Sequence, residues 1–69
     1  MAQVLTEREL KITERQREVV ELIAAGLSND EVGERLGISP RTVEQHLGVV
    51  YAKLHIRRRA ELARLFRDL

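Results

Sequence analysis

The chain has 69 residues, a formal net charge of +1, one Phe, one Tyr, no Trp and no Cys. That length admits one small domain with a core of Leu, Ile, Val and Ala, and the missing cysteines exclude a disulfide frame or a thiolate zinc site. The longest nearly apolar run, Leu22 to Leu27, is too short for a membrane span and no secretory signal is legible, so a cytoplasmic protein without a membrane partner is expected.

The N-terminal stretch Leu5-Thr6-Glu7-Arg8-Glu9-Leu10 carries its own capping box and echoes Ile12-Thr13-Glu14-Arg15-Gln16. The second copy is the better start of the first helix, so residues 1–11 read as an extension or linker and 12–69 as the domain. Thr13 with Gln16 forms a Thr-x-x-Gln capping box, and the helix runs from Glu14 to Ala25 before Gly26 ends it. Its apolar stripe is Val19, Val20, Leu22 and Ile23. No strand pattern appears, and the expected fold is all-α, a four-helix bundle-like domain.

Leu27 to Leu54 holds two capped helices in close succession. Ser28 with Glu31 makes a capping box, and Leu27 can staple to Val32. The second helix spans about Asn29 to Leu36. Gly37 suits the left-handed residue that ends it, and Gly37-Ile38-Ser39 is the turn. Ser39 caps the third helix, Pro40 takes its first position, and Ile38 can staple to Val43. Gly33 sits inside a helix at a cost of about 1 kcal/mol against alanine, which close approach of the next helix would explain. Helices joined so tightly cross steeply, as in a helix-turn-helix.

The third helix runs from Pro40 to about Leu54, with Val43, Leu47, Val50 and Leu54 as a buried stripe. Its opposite side carries Arg41, Gln45, Gly48 and Ala52, flanked by Glu44 and Val49. The fourth helix covers about Arg59 to Asp68, with Leu62, Leu65, Phe66 and Leu69 on one side. Charge changes along the chain: residues 1–39 carry five Lys/Arg against eight Asp/Glu, and residues 40–69 carry seven against three. The basic half starts where a recognition helix would start, and a local basic face is what phosphate contact requires.

In that reading the third helix enters a DNA major groove. Gln45 can bond adenine bidentately and Arg41 a guanine edge or a phosphate, while Glu44 can only accept, so it either pairs with cytosine's amino group or repels wrong approaches. Gly48 either lets the backbone come close to the groove or is a neutral surface glycine with a small helix penalty. Helix N-termini beside Thr13, Ser28, Asn29 and Ser39 offer amides to phosphates, and Thr42 and Lys53 can add side-chain contacts. The Arg57-Arg58-Arg59 run is either a further phosphate contact or a solvated turn.

Ile12-Thr13-Glu14-Arg15-Gln16, Ala25-Gly26-Leu27-Ser28-Asn29-Asp30-Glu31, Ile38 to Leu47 and Lys53-Leu54 resemble the LuxR-type (GerE-type) helix-turn-helix family. The resemblance covers about residues 12–65. It implies a four-helix DNA-binding module of a bacterial transcriptional regulator, with Glu44, Gln45 and Gly48 at base-contacting positions. It further implies a homodimer through the fourth helix, including Leu62, Leu65, Phe66 and Leu69, on a two-fold site. Double-stranded DNA is then the main partner, RNA polymerase a further one, and this domain takes no small-molecule ligand. Departures from the family pattern are Glu44 in place of a frequent lysine, Gly48 in place of a polar or basic residue, Arg58 in place of a Ser or Asn cap, and His55 in place of a frequent glycine.

Two rival readings stand beside this one. Sigma-factor promoter-reading domains are similar four-helix modules, and a helical interaction module without DNA affinity would suit the near-zero net charge. An enzyme is not expected. His46 and His55 have no third metal ligand near either, and the four glycines punctuate helices without forming a phosphate-cradling loop, so catalytic, metal and cofactor residues are all expected to be none.

Overall fold

The computed structural model describes residues 12–67. The repeated capping box at 5–10, the extension 1–11, Asp68 and the dimer candidate Leu69 lie outside the described residues. Four helices follow in order: α1 (Glu14–Ala24), α2 (Asn29–Leu36), α3 (Pro40–Leu54) and α4 (Arg59–Arg67). The described residues contain no strand, and no helix among them is long and apolar enough to cross a membrane.

Caps set these boundaries. At α1 the Thr13 hydroxyl accepts from Gln16 N–H at 3.1 Å, while Thr13 N–H donates to Gln16 Oε1 at 2.9 Å. At α2 the same pair of bonds joins Ser28 and Glu31, at 3.1 and 2.8 Å. Ser39 caps α3 by accepting from Thr42 N–H at 3.1 Å, with Pro40 next in line. The α1 terminus folds back through Gly26, at φ +104°. Gly26 N–H bonds Ile23 O, and Leu27 N–H bonds Leu22 O, which stops the helix one residue earlier than the sequence suggests.

The core comprises Ile12, Val19, Val20, Ile23, Val32, Val43, Leu47, Val50 and Leu62. It is wholly aliphatic, with Tyr51 and Phe66 half-buried at its edge. The helix α1 is central, packing on α4, α3 and α2, while α2 packs on α3. Gln16 is buried beside Val19 and Val20 but spends its amide oxygen on the α1 cap. Each fully buried aliphatic side chain contributes roughly 1.5–3 kcal/mol.

The tightest feature is the passage from α2 to α3. A methyl group built on Gly33 would stand 2.5 Å from the Ile38 carbonyl oxygen and 3.4 Å from Pro40 N. Gly33 also accepts a 2.9 Å hydrogen bond from Ile38 N–H. The turn backbone therefore lies directly on α2, where only hydrogen fits. Gly48 is the opposite case, with nothing within 4 Å of the same added atom. At the end of α3, His55 holds the left-handed conformation at φ 56° while Ile56 N–H closes the cap on Tyr51 O at 3.0 Å.

The two glycines should answer alanine oppositely. Gly48→Ala is expected to stabilise by about 1 kcal/mol, raising the melting midpoint by roughly 4–8 °C. Gly33→Ala gains the same helix propensity but is expected to lower the midpoint, because overpacking against backbone costs about 1–3 kcal/mol. Thermal unfolding followed by circular dichroism checks both, and a Gly33→Ala chain melting above wild type would show that the turn recedes without cost. His55→Gly should stabilise by up to about 1 kcal/mol, since the left-handed conformation disfavours side chains bearing Cβ.

Candidate nucleic-acid interface

The Gly33 contact fixes how the start of α2 meets the outer face of α3. Asn29, Asp30, Pro40, Arg41, Glu44, Gln45 and Gly48 together line one shallow, open groove. Five of the ten DNA-contact candidates are thus gathered at one place. Arg41, Glu44, Gln45 and Gly48 are exposed, and Asn29 is half-buried. Among the described residues, no hydrogen bond or ion pair engages the side chains of Arg41, Glu44, Gln45 or Lys53. Val49, 43% exposed, extends the same outward surface one turn beyond Gln45.

The remaining candidates lie outside the groove. Thr13, Ser28, Ser39 and Lys53 are exposed, and Thr42 is half-buried. The hydroxyls of Ser39 and Thr42 are 2.9 Å apart and bonded to each other. Capping also consumes part of what the helix N-termini offer an anion. At α2, Ser28 N–H is taken by the Glu31 carboxylate and Glu31 N–H by the Ser28 hydroxyl. That leaves the amides of Asn29 and Asp30, next to two acidic side chains. The α2 terminus is therefore a poorer phosphate site than free amides would make it.

The Glu31 carboxyl is held below the usual glutamate range chiefly by the Ser28 backbone N–H, and next by the Ser28 side chain. Desolvation opposes these bonds, and the Arg35 charge adds a smaller lowering.

The arginine run before α4 divides into separate roles. Arg57 N–H donates to Glu61 Oε1 at 3.4 Å, and the Arg58 carbonyl accepts from Glu61 and Leu62 N–H. Arg59 reaches the α1–α2 connection, where Nη1 donates to Leu27 O at 3.2 Å and Nη2 to Asn29 Oδ1 at 2.8 Å. Sequence reasoning missed this tie, as it missed Asp30 and Pro40 in the groove lining. A pairing across 30 residues has no local signal, whereas Asp30 and Pro40 could have been found by placing both helix starts side by side.

The dimer candidates need one correction. Leu62 is 0% exposed and belongs to the core, so it has no surface to offer a second copy. Packing of α1 on α4 claims that side chain first. Leu65 and Phe66 are half-buried, with Phe66 resting against the core. No group of His, Cys, Asp or Glu among the described residues is placed to hold a metal ion.

The sequence is also similar to those of known proteins. The family model described as bacterial regulatory proteins, luxR family, matches residues 10–66. The chain is 49% identical over 51 residues to a Mycobacterium tuberculosis protein named as an HTH-type transcriptional regulator, covering 74% of this chain and 6% of that one. It is 38% identical over 61 residues to the transcriptional regulatory protein UhpA of Escherichia coli, covering 88% and 31%. Against the transcriptional regulatory protein FixJ of Rhizobium meliloti the identity is 41% over 54 residues, covering 78% and 26%. The chain thus spans less than a third of the length of each of these relatives. No solved structure matches it.

The capping box of α2 gives a pH signature. Because the Glu31 pKa is lowered on folding, its contribution is fully present above the ordinary glutamate value and is lost as pH falls through the folded value. Gln16 performs the same capping role at α1 without a charge. Glu31→Gln is therefore expected to keep most of the stability at neutral pH and to flatten the acid limb. Melting midpoints measured from neutral pH to about pH 3 check this, and an unchanged acid limb would remove Glu31 as its source.

Proposed function

The chain belongs to the luxR family of bacterial regulatory proteins, and on that footing we propose that residues 12–69 bind double-stranded DNA sequence-specifically, as the DNA-reading domain of a transcriptional regulator. Residues 1–11 are its extension or linker. The observation that carries the reading is the shared groove of α2 and α3, where Arg41, Gln45 and Gly48 are exposed and the Arg41 and Gln45 side chains are unengaged. A helix held proud of its domain by a glycine-limited contact suits insertion in the major groove.

Within this proposal Gln45 and Arg41 read base edges, Glu44 accepts from cytosine, and Gly48 admits the backbone to the groove wall. Thr13, Ser28, Asn29, Ser39, Thr42 and Lys53 contact phosphate and sugar, which position the domain without reading sequence. Two copies pair through α4 and the residues that follow it, where Leu65, Phe66 and Leu69 remain the candidates. Half-sites then lie about 10 bp apart, one helical turn. RNA polymerase is the further partner, and the nucleoid the place of action.

Selection from a random DNA library at two salt concentrations tests the reading. Enrichment of a two-fold symmetric site with a steep salt dependence supports it, whereas retention without salt dependence overturns DNA binding, because no counterions are released. On the selected site, Gln45→Ala is expected to cost roughly 1–3 kcal/mol and relax base choice at one position. Lys53→Ala should weaken all sequences alike and lower the salt slope by about 1. Equal losses for both variants on selected and random DNA would contradict this division of roles.

A further inference from the structure

We infer that Arg59, which lies outside the recognition helix, is a positioning residue that orients the Asn29 carboxamide toward a DNA phosphate. The inference rests on the DNA-binding reading proposed above. Arg59 is the first residue of α4, yet its guanidinium grips the start of α2 at two points, Asn29 Oδ1 at 2.8 Å and the Leu27 carbonyl at 3.2 Å. A guanidinium carries donors only. The atom of Asn29 that faces it must therefore be the oxygen, and the NH2 group is turned away from α4. Asn29 lines the groove shared with Arg41 and Gln45, so the group left over is a donor held at the edge of the proposed DNA face.

The grip explains an arginine that its own helix does not favour. A cation at the first residue of α4 faces the positive end of the helix dipole, and α4 starts without a Ser, Thr, Asn or Asp before it. What Arg59 contributes is made at α2. The fork geometry matters, because two acceptors 3.2 and 2.8 Å from different nitrogens of one planar group fix the direction of both. Lysine would offer a point charge on a flexible stem instead. The neighbouring anion-binding amides at α2 are already depleted by the Ser28–Glu31 box, which makes an oriented side-chain donor at Asn29 the stronger phosphate ligand of that terminus.

The test is a double-mutant cycle on the whole 69-residue chain, using Arg59→Ala, Asn29→Ala and both together. Affinity for a random-sequence duplex is measured by fluorescence anisotropy over a salt series, at temperatures well below each variant's melting midpoint. Each single variant is expected to lose roughly three- to tenfold in affinity, and the double variant no more than the worse single. Additive losses, with a salt slope lowered by about 1 in Arg59→Ala, would mean that Arg59 touches phosphate itself and would overturn the proposal. Unchanged affinity in Arg59→Ala would overturn it as well. A DNA-free readout separates orientation from general stability. The Asn29 side-chain amide signals should shift in Arg59→Ala while the core methyl signals of Val43 and Val50 stay in place, and unmoved Asn29 signals would overturn the grip. A wild-type chain that binds no DNA at any salt would overturn the DNA reading and this inference together, whereas additivity overturns the inference alone.

Discussion

The close contact between Gly33 and the turn that follows α2 is the constraint on which the rest of the domain depends. Gly33 gives its carbonyl to Ile38 N–H at 2.9 Å and leaves no room for a methyl group beneath the Ile38 oxygen. Backbone lies against backbone, so the crossing of α2 and α3 is not adjustable by side-chain rotation. That crossing brings Asn29 and Asp30 to the same groove as Arg41, Gln45 and Gly48. A side chain at position 33 would favour the helix by about 1 kcal/mol and spoil the geometry. Local helix preference has yielded here to the placement of α3.

Around that crossing the domain has little stability to spare. Among the described residues nine aliphatic side chains form the buried core, and α1 packs on the other three helices. In so small a chain each cap weighs heavily, at about 1 kcal/mol apiece. The helices α1, α2 and α3 all have a hydroxyl cap, whereas α4 starts after Arg58. Burial of Leu62 and the reach of Arg59 to Leu27 and Asn29 hold α4 instead. The consequence for assembly is direct: the side chain that anchors α4 in its own domain cannot also face a partner.

The elements legible in the sequence were those set by neighbours three to five residues apart. Thr13 with Gln16, Ser28 with Glu31, and Ser39 with Thr42 just past Pro40 announce their helix starts because both members of each hydrogen bond are close in the chain. Gly33 was legible for a related reason, since a glycine inside a strongly capped helix needs a tertiary cause. The fate of Leu62 was not legible. A helical wheel shows that Leu62, Leu65 and Phe66 share a side, but only the packing of α1 decides which of them is enclosed. The link from Arg59 to Asn29 was hidden in the same way, because nothing near either residue marks the other. The groove was half legible, as the outward face of α3 follows from its apolar stripe while the contribution of α2 follows from the crossing alone.

The charge arrangement on α3 narrows how such a surface can sit on DNA. Glu44 and Lys53 are nine residues apart, which places them roughly 180° apart around the helix. Asp30 joins Glu44 in the groove lining. Carboxylates repel phosphate and can be satisfied in the major groove only by an amino group such as that of cytosine. The acidic edge is therefore the one that can tolerate base edges, and the Lys53 edge the one that can tolerate a backbone strand. A single copy brings few cations to that encounter, since counterion release scales with the phosphates neutralised. Joining two copies makes the second binding event intramolecular and doubles the phosphate contacts at one site. A domain of net charge +1 thus has more to gain from pairing than a strongly basic one.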